Sequence, residues 1–85
     1  MTVMVRAGEA LAVGLVLSNL SVQQFWMSYF AMGGQHLPSE LVAYIGGEIA
    51  LSAAQHDRAA HAVNEKCVEL GLGSVVRYSC ELTAG

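Results

Sequence analysis

Apolar positions recur at helical spacing in three stretches of the chain, and each stretch opens on a start signal. Val22, Phe25, Trp26, Tyr29 and Phe30 fall at i, i+3, i+4, i+7 and i+8, the stripe of an amphipathic helix. Ser21 and Gln24 precede it at capping-box spacing, in which the serine hydroxyl accepts the N3 backbone N–H and the glutamine side chain returns to the N-cap N–H. Gly33-Gly34 stops this helix. Pro38 at N1 and Glu40 at N3 open a second, "PSELVAYIGG", which turns Leu41, Tyr44 and Ile45 inward and closes at Gly46-Gly47.

The third stretch is the longest. Ser52 and Gln55 repeat the capping-box spacing, and the pattern predicts a helix over 53–70 that ends at Gly71, with Leu72 placed for the hydrophobic contact that follows a left-handed C′ residue. Ala53, His56, Ala60, Val63, Cys67 and Leu70 repeat at three and four as a buried stripe. Asp57, His61, Glu65 and Glu69 form a polar row on another face, and Ala53, Ala59, Ala60 and Ala62 permit close approach of a neighbouring helix.

"LSVQQF" at 20–25 and "LSAAQH" at 51–56 share a frame, but "WMSYFAMGG" and "DRAAHAVNE" after them share almost nothing. The frames are two uses of one way to start a helix, with Leu as staple, Ser as cap and Gln at N3. They differ at N4, where Phe25 stands in one and His56 in the other.

The two ends of the chain are less regular. "GEALAVGLVLSN" holds good helix formers together with Gly8, Gly14 and several valines, so helix, strand and disordered leader all stay open. "SVVRYSCEL" has strand-like content, and a short hairpin with "VGLVLS" is one reading of it. The expected fold is mainly α: a three-helix bundle, or four if the N-terminal segment is helical, with an irregular or short β-like tail. Residues 1–19 read as an extension or extra helix, 20–80 as a single helical domain and 81–85 as a flexible tail.

Charge narrows the function classes. The chain is 54% hydrophobic and 13% charged with net charge −3, and its mean hydropathy is +0.46. So little surface charge favours association between chains. Arg6, Arg58, Lys66 and Arg77 are scattered, which is not the basic footprint of a nucleic-acid binder. No Asp, Glu, Lys or Arg occurs between Glu9 and Glu40, yet the apolar run Ala10 to Leu17 is too short for a membrane span. Arg6 ahead of "ALAVGLVL" imitates a secretory signal, but Glu9 interrupts the basic-to-apolar transition and no small-x-small cleavage site follows. Two cysteines, Cys67 and Cys80, are few for a disulfide scaffold and read as reduced thiols in a cytoplasmic protein.

Candidate chemistry is sparse. Asp57, His61 and Glu65 at successive i+4 positions put two carboxylates and an imidazole on one face, and His36 could add a further divalent-metal ligand, but a solvated polar row explains the same residues. His56 lies on the apolar stripe at N4, where a packed imidazole is expected. Cys67 on that stripe reads as an inert core thiol. No nucleophile stands with a base at recognisable spacing, and no phosphate-binding glycine loop occurs, so neither an enzyme nor a cofactor is expected. "PSELVAYIGG" before a longer helix has a helix-turn-helix outline, with Gln55, His56 and Arg58 as DNA contacts. Against it stand Asp57, Glu65 and Glu69 on the same helix, and the long loop "GGEIALS". The other candidate surface is "WMSYF", where Trp26, Met27, Tyr29 and Phe30, with Met32 nearby, suit an adaptable protein interface.

From Leu20 to Tyr78 the chain carries Trp-x-x-Tyr-Phe-Ala-x-Gly-Gly, then Pro-x-Glu-Leu-x-Ala-Tyr, then "HDRAAHAVNE". In these features it resembles a small helical domain of actinobacterial proteins whose activity is not known, with Leu37 in place of the Thr or Ser expected before the proline. The resemblance implies a bacterial cytosolic helical module with a regulatory role and carries over no catalytic residue. The expectation is therefore a non-enzymatic interaction or regulatory module, a homodimer or the partner of a larger regulatory protein. The alternatives are a DNA-binding regulator and a divalent-metal-binding protein.

Overall fold

Ser21, Leu37 and Ser52 all have extended backbone immediately before a helix, as N-cap residues must. The computed structural model describes residues 3–78, with side chains described from Gly8 onward. Four helices form: α1 (Val3–Ser18), α2 (Val22–Ala31), α3 (Pro38–Ile45) and α4 (Ala53–Glu69). The chain is mainly α, as the hydrophobic periodicity predicts, and the described residues contain no strand. Helices α1 and α2 each pack against α3 and α4 and hardly against one another.

The N-terminal segment is helical because of the glycines that obscure it in the sequence. A Cβ on Gly8 would stand 2.1 Å from the Tyr44 carbonyl oxygen, and one on Gly14 would stand 2.6 Å from Val76 Cγ2 and 2.7 Å from Val63 Cγ1. Glycine thus lets α1 lie directly on α3 and α4. The helix-propensity cost of each, about 1 kcal/mol relative to alanine, is offset by that contact. Leu11 and Ser18 complete the inner face of α1, both fully buried. The helix stops at Asn19, which adopts a left-handed φ of 58°, a conformation asparagine tolerates better than most residues.

This corrects the hairpin reading, since "VGLVLS" is the last part of α1. Ser74–Tyr78, the described part of the C-terminal stretch, is irregular chain with no strand pairing. Residues 79–85, including Cys80 and the expected flexible tail, lie outside the described residues.

Helix α4 ends as its sequence predicts. Gly71 has φ 81°, its N–H bonds the Val68 carbonyl at 3.0 Å and Leu72 N–H bonds the Cys67 carbonyl at 2.9 Å, the two bonds of a Schellman cap. Its buried face is wider than one stripe. Ala53 and Leu70 are exposed, whereas Gln55, Ala59, Ala62 and Asn64 are buried with His56, Ala60, Val63 and Cys67. The reason is position: α4 packs against both α1 and α2, so an arc and not a line is withdrawn from water. Phe25, Tyr29, Leu41, Tyr44, Leu51 and Val76 join Leu11 in the rest of the core.

No single described helix is long and apolar enough to cross a membrane. Helix α1 from Gly8 and helix α2 together have the length and composition, but they meet at a bend of 112°.

Candidate interaction surface

Three buried polar side chains of α4 tie irregular chain to the helix. The first is Gln55. Ser52 Oγ accepts the Gln55 N–H at 3.2 Å, so the serine half of the expected capping box forms. The glutamine half does not, because the Gln55 side chain turns inward and its Oε1 accepts from the Tyr29 hydroxyl. That hydroxyl accepts in turn from the backbone N–H groups of Gln35 at 3.1 Å and His36 at 3.0 Å. The loop between α2 and α3 is thereby fixed to α2 and α4 together.

His56 is the second. Its Nε2 lies 2.8 Å from the Arg77 carbonyl oxygen and its Nδ1 2.8 Å from the Tyr44 hydroxyl. A carbonyl can only accept, so Nε2 carries a proton and donates it to Arg77, while Nδ1 pairs with the Tyr44 hydroxyl. The imidazole therefore joins α3, α4 and the C-terminal stretch. Tyr44 is held above its ordinary pKa, chiefly by burial and secondarily by the negative charge of Asp57, which keeps the hydroxyl protonated beside His56.

Asn64 is the third. Its Oδ1 accepts from Val75 N–H at 2.9 Å and Val76 N–H at 2.8 Å, and its Nδ2 donates to the Val76 carbonyl at 2.8 Å. One carboxamide supplies the bonds that a neighbouring strand would supply. This is why strand-like sequence lies flat on a helix here, with Val76 buried between α1 and α4. The signal in sequence was a lone Asn among the small residues of the helix, eight positions after His56, and periodicity gave it no weight. Among the described residues, no buried side-chain nitrogen or oxygen lacks a partner.

These bonds change the candidate DNA contacts. Gln55 is 7% exposed and His56 0% exposed, with Gln55 Oε1 and both His56 ring nitrogens bonded within the fold, so neither presents a DNA-contacting side chain. Arg58 is half-buried beside Gly33 in the α2–α3 loop. The candidate metal ligands do not converge. His61 Nε2 is 3.8 Å from Glu65 Oε2 and its Nδ1 is 3.1 Å from the Tyr78 hydroxyl. His36 lies instead beside Glu40, at 3.5 Å. Among the described residues no three His, Cys, Asp or Glu side chains are placed to hold a metal ion. Burial raises the Cys67 thiol pKa, as an inert core position requires. The described residues enclose no pocket.

What remains available is apolar. On α2, Met27 and Phe30 are each 57% exposed. Trp26 is half-buried, stacks on Phe30 with ring centroids 5.1 Å apart, and donates Nε1–H to the His36 carbonyl at 2.9 Å. Tyr29, grouped with them by spacing, belongs to the core. Met32 packs against the core edge. The second surface was missed in sequence: Val13, Val16 and Leu17 are exposed at i, i+3 and i+4 on the outer side of α1. A helix that is apolar on both faces conceals its amphipathic period, so the signal was the absence of any polar face between Ala10 and Leu17.

The described residues define a small, mainly α domain whose buried polar side chains are hydrogen-bonded within the fold and whose surface carries several large apolar side chains. No protein-family model, curated protein or solved structure matches this chain.

Proposed function

We propose that this protein is a small non-enzymatic interaction module that works by self-association. The observation that carries the reading is a set of large apolar side chains left on the surface. Val13, Val16, Leu17, Met27 and Phe30 stay outside, while Gln55, His56 and Asn64 are drawn in to hold loops. Each large aliphatic side chain moved from water into a contact contributes about 1.5–3 kcal/mol before the costs of association. A few such residues on one face are enough for a weak specific dimer. Of the polar residues named as candidate metal ligands or DNA contacts, Gln55 and His56 are bonded within the fold, and among the described residues no three His, Cys, Asp or Glu side chains converge. Sedimentation velocity from about 1 µM to about 1 mM protein tests the reading. Sedimenting mass that rises with concentration supports it, and a monomer throughout the range overturns it.

A further inference from the structure

The C-terminal stretch lies on the helices as a ligand lies on a site. Ser74–Tyr78 is irregular chain with a bend at Val76. Val76 is its one fully buried side chain; Val75 and Tyr78 are half-buried, and Ser74 and Arg77 are exposed. The bond from Leu72 N–H to the Cys67 carbonyl closes α4, and from there the connector Leu72-Gly73-Ser74 is exposed throughout. Gly73 has φ 75°, and a Cβ on it would meet nothing within 4 Å. No packing imposes that turn, and glycine changes backbone conformation there at least cost.

What receives the stretch is already formed on the helices. The Val76 side chain enters a slot between α1 and α4, where a Cβ on Gly14 would stand 2.6 Å from Val76 Cγ2 and 2.7 Å from Val63 Cγ1. Polar recognition is almost wholly of main chain. The Asn64 carboxamide takes the Val75 and Val76 N–H groups and the Val76 carbonyl, and His56 Nε2 donates to the Arg77 carbonyl. Asn64 is 2% exposed and His56 0% exposed, so both recognising groups are held by α4. Only the Tyr78 hydroxyl, 3.1 Å from Nδ1 of the exposed His61, adds a side-chain bond. One slot for one side chain, with main-chain bonds on both sides of it, is the way short peptides are read.

We infer that the groove between α1 and α4 is a peptide-binding site whose resident occupant is Ser74–Tyr78, a latch that opens while the four helices stay folded. The peptide that replaces the latch has the latch's own chemistry: a short segment with valine at a bend and free main-chain N–H and carbonyl groups around it. This goes beyond the self-association reading and does not depend on it. One buried valine and a few hydrogen bonds are a small part of what holds the core, so the latch opens more often than the whole molecule unfolds. Tethering gives it an effective concentration on the order of millimolar. A peptide in trans therefore gains the groove only when it is concentrated or the latch is weakened.

The test uses the full chain. In native-state hydrogen exchange of the wild type, the Val75 and Val76 N–H groups should exchange at least about tenfold faster than those of Val63 and Cys67. Equal protection would mean that the stretch opens only with the entire fold and would overturn the latch. Val76→Asp puts a charge in the slot, and the variant should keep its helical circular dichroism but melt lower. The synthetic peptide GSVVRY, residues 73–78 of this chain, at about 1 mM should raise the melting temperature of V76D, and the same peptide carrying Val76→Asp should not. The wild type should need at least about tenfold more peptide for the same rise. A V76D chain that neither peptide stabilises, or that both stabilise equally, would overturn the groove as a peptide site. A wild type that responds as strongly as V76D would place the peptide elsewhere on the surface and overturn the site as well. A V76D chain that stays unfolded with and without GSVVRY would make the stretch part of the global fold and overturn latch and site together.

Discussion

The starts of α2 and α4 use the same Leu-Ser-x-x-Gln frame for different ends. At α2 the box closes on itself: Gln24 N–H donates to Ser21 Oγ at 3.1 Å and Ser21 N–H to Gln24 Oε1 at 3.0 Å, both exposed. At α4 the serine caps but the glutamine leaves the box for Tyr29 and the Gln35 N–H. Magnitudes explain the choice. A cap bond is worth about 1 kcal/mol, whereas a buried hydroxyl and carboxamide left unpaired cost about 1–3 kcal/mol each. Ser52 is exposed, so water can serve its N–H once Gln55 has turned away. At N4, Phe25 simply fills the core, and His56 fills it while making two hydrogen bonds. The same local signal caps a helix at a surface and assembles tertiary structure where it is buried.

The largest expected difference is at N4. His56→Ala should cost about 3–4 kcal/mol in urea denaturation, because it opens a cavity and strands both the Tyr44 hydroxyl and the Arg77 carbonyl. His56→Phe, which copies the α2 frame into α4, should recover less than half of this, since the ring fills space but bonds nothing. Full recovery would mean that the imidazole acts as a filler only.

At N3 the asymmetry should be smaller but clear. Gln55→Ala is expected to cost about 2 kcal/mol and Gln24→Ala about 0.5 kcal/mol, with hydrogen exchange at Gln35 and His36 accelerated only in the first. Equal losses would erase the distinction between the two frames. Ser21→Ala and Ser52→Ala should then agree with each other at about 1 kcal/mol, because both hydroxyls make the same bond.

Alkaline pH probes the partner of His56. Tyr44 has a raised folded-state pKa, so its contribution to stability is present in full below the ordinary tyrosine value near 10 and is lost as pH rises through the folded value. Stability should decline above about pH 10, and less steeply in Tyr44→Phe, which begins from a lower level. The smallest effect belongs to Glu40, whose pKa is lowered mainly by the Leu37 N–H it accepts, with help from His36. Its contribution is present above the ordinary carboxylate value and is lost as pH falls through the folded one. Glu40→Gln should make the acid side of the stability profile slightly flatter.

The helix starts at Ser21, Pro38 and Ser52 and the stop at Gly71 were legible because caps, proline and glycine act within a few residues. Helix α1 was not, because Gly8 and Gly14 make sense only once Tyr44, Val63 and Val76 are beside them. Asn64 was invisible for the same reason, since its partners are backbone groups more than ten residues away. The apolar surface on α2 was half legible: Met27 and Phe30 are exposed as that reading needs, but Tyr29 at the same spacing is core. Periodicity marks which residues share a face, and only tertiary contact decides which face is covered.

The most direct test of this account is the protonation state of the His56 ring, read by long-range proton–nitrogen correlation in the intact protein near pH 7.5. The hydrogen bond to the Arg77 carbonyl predicts a proton held on Nε2. An unprotonated Nε2, or a ring exchanging freely between tautomers, would contradict it.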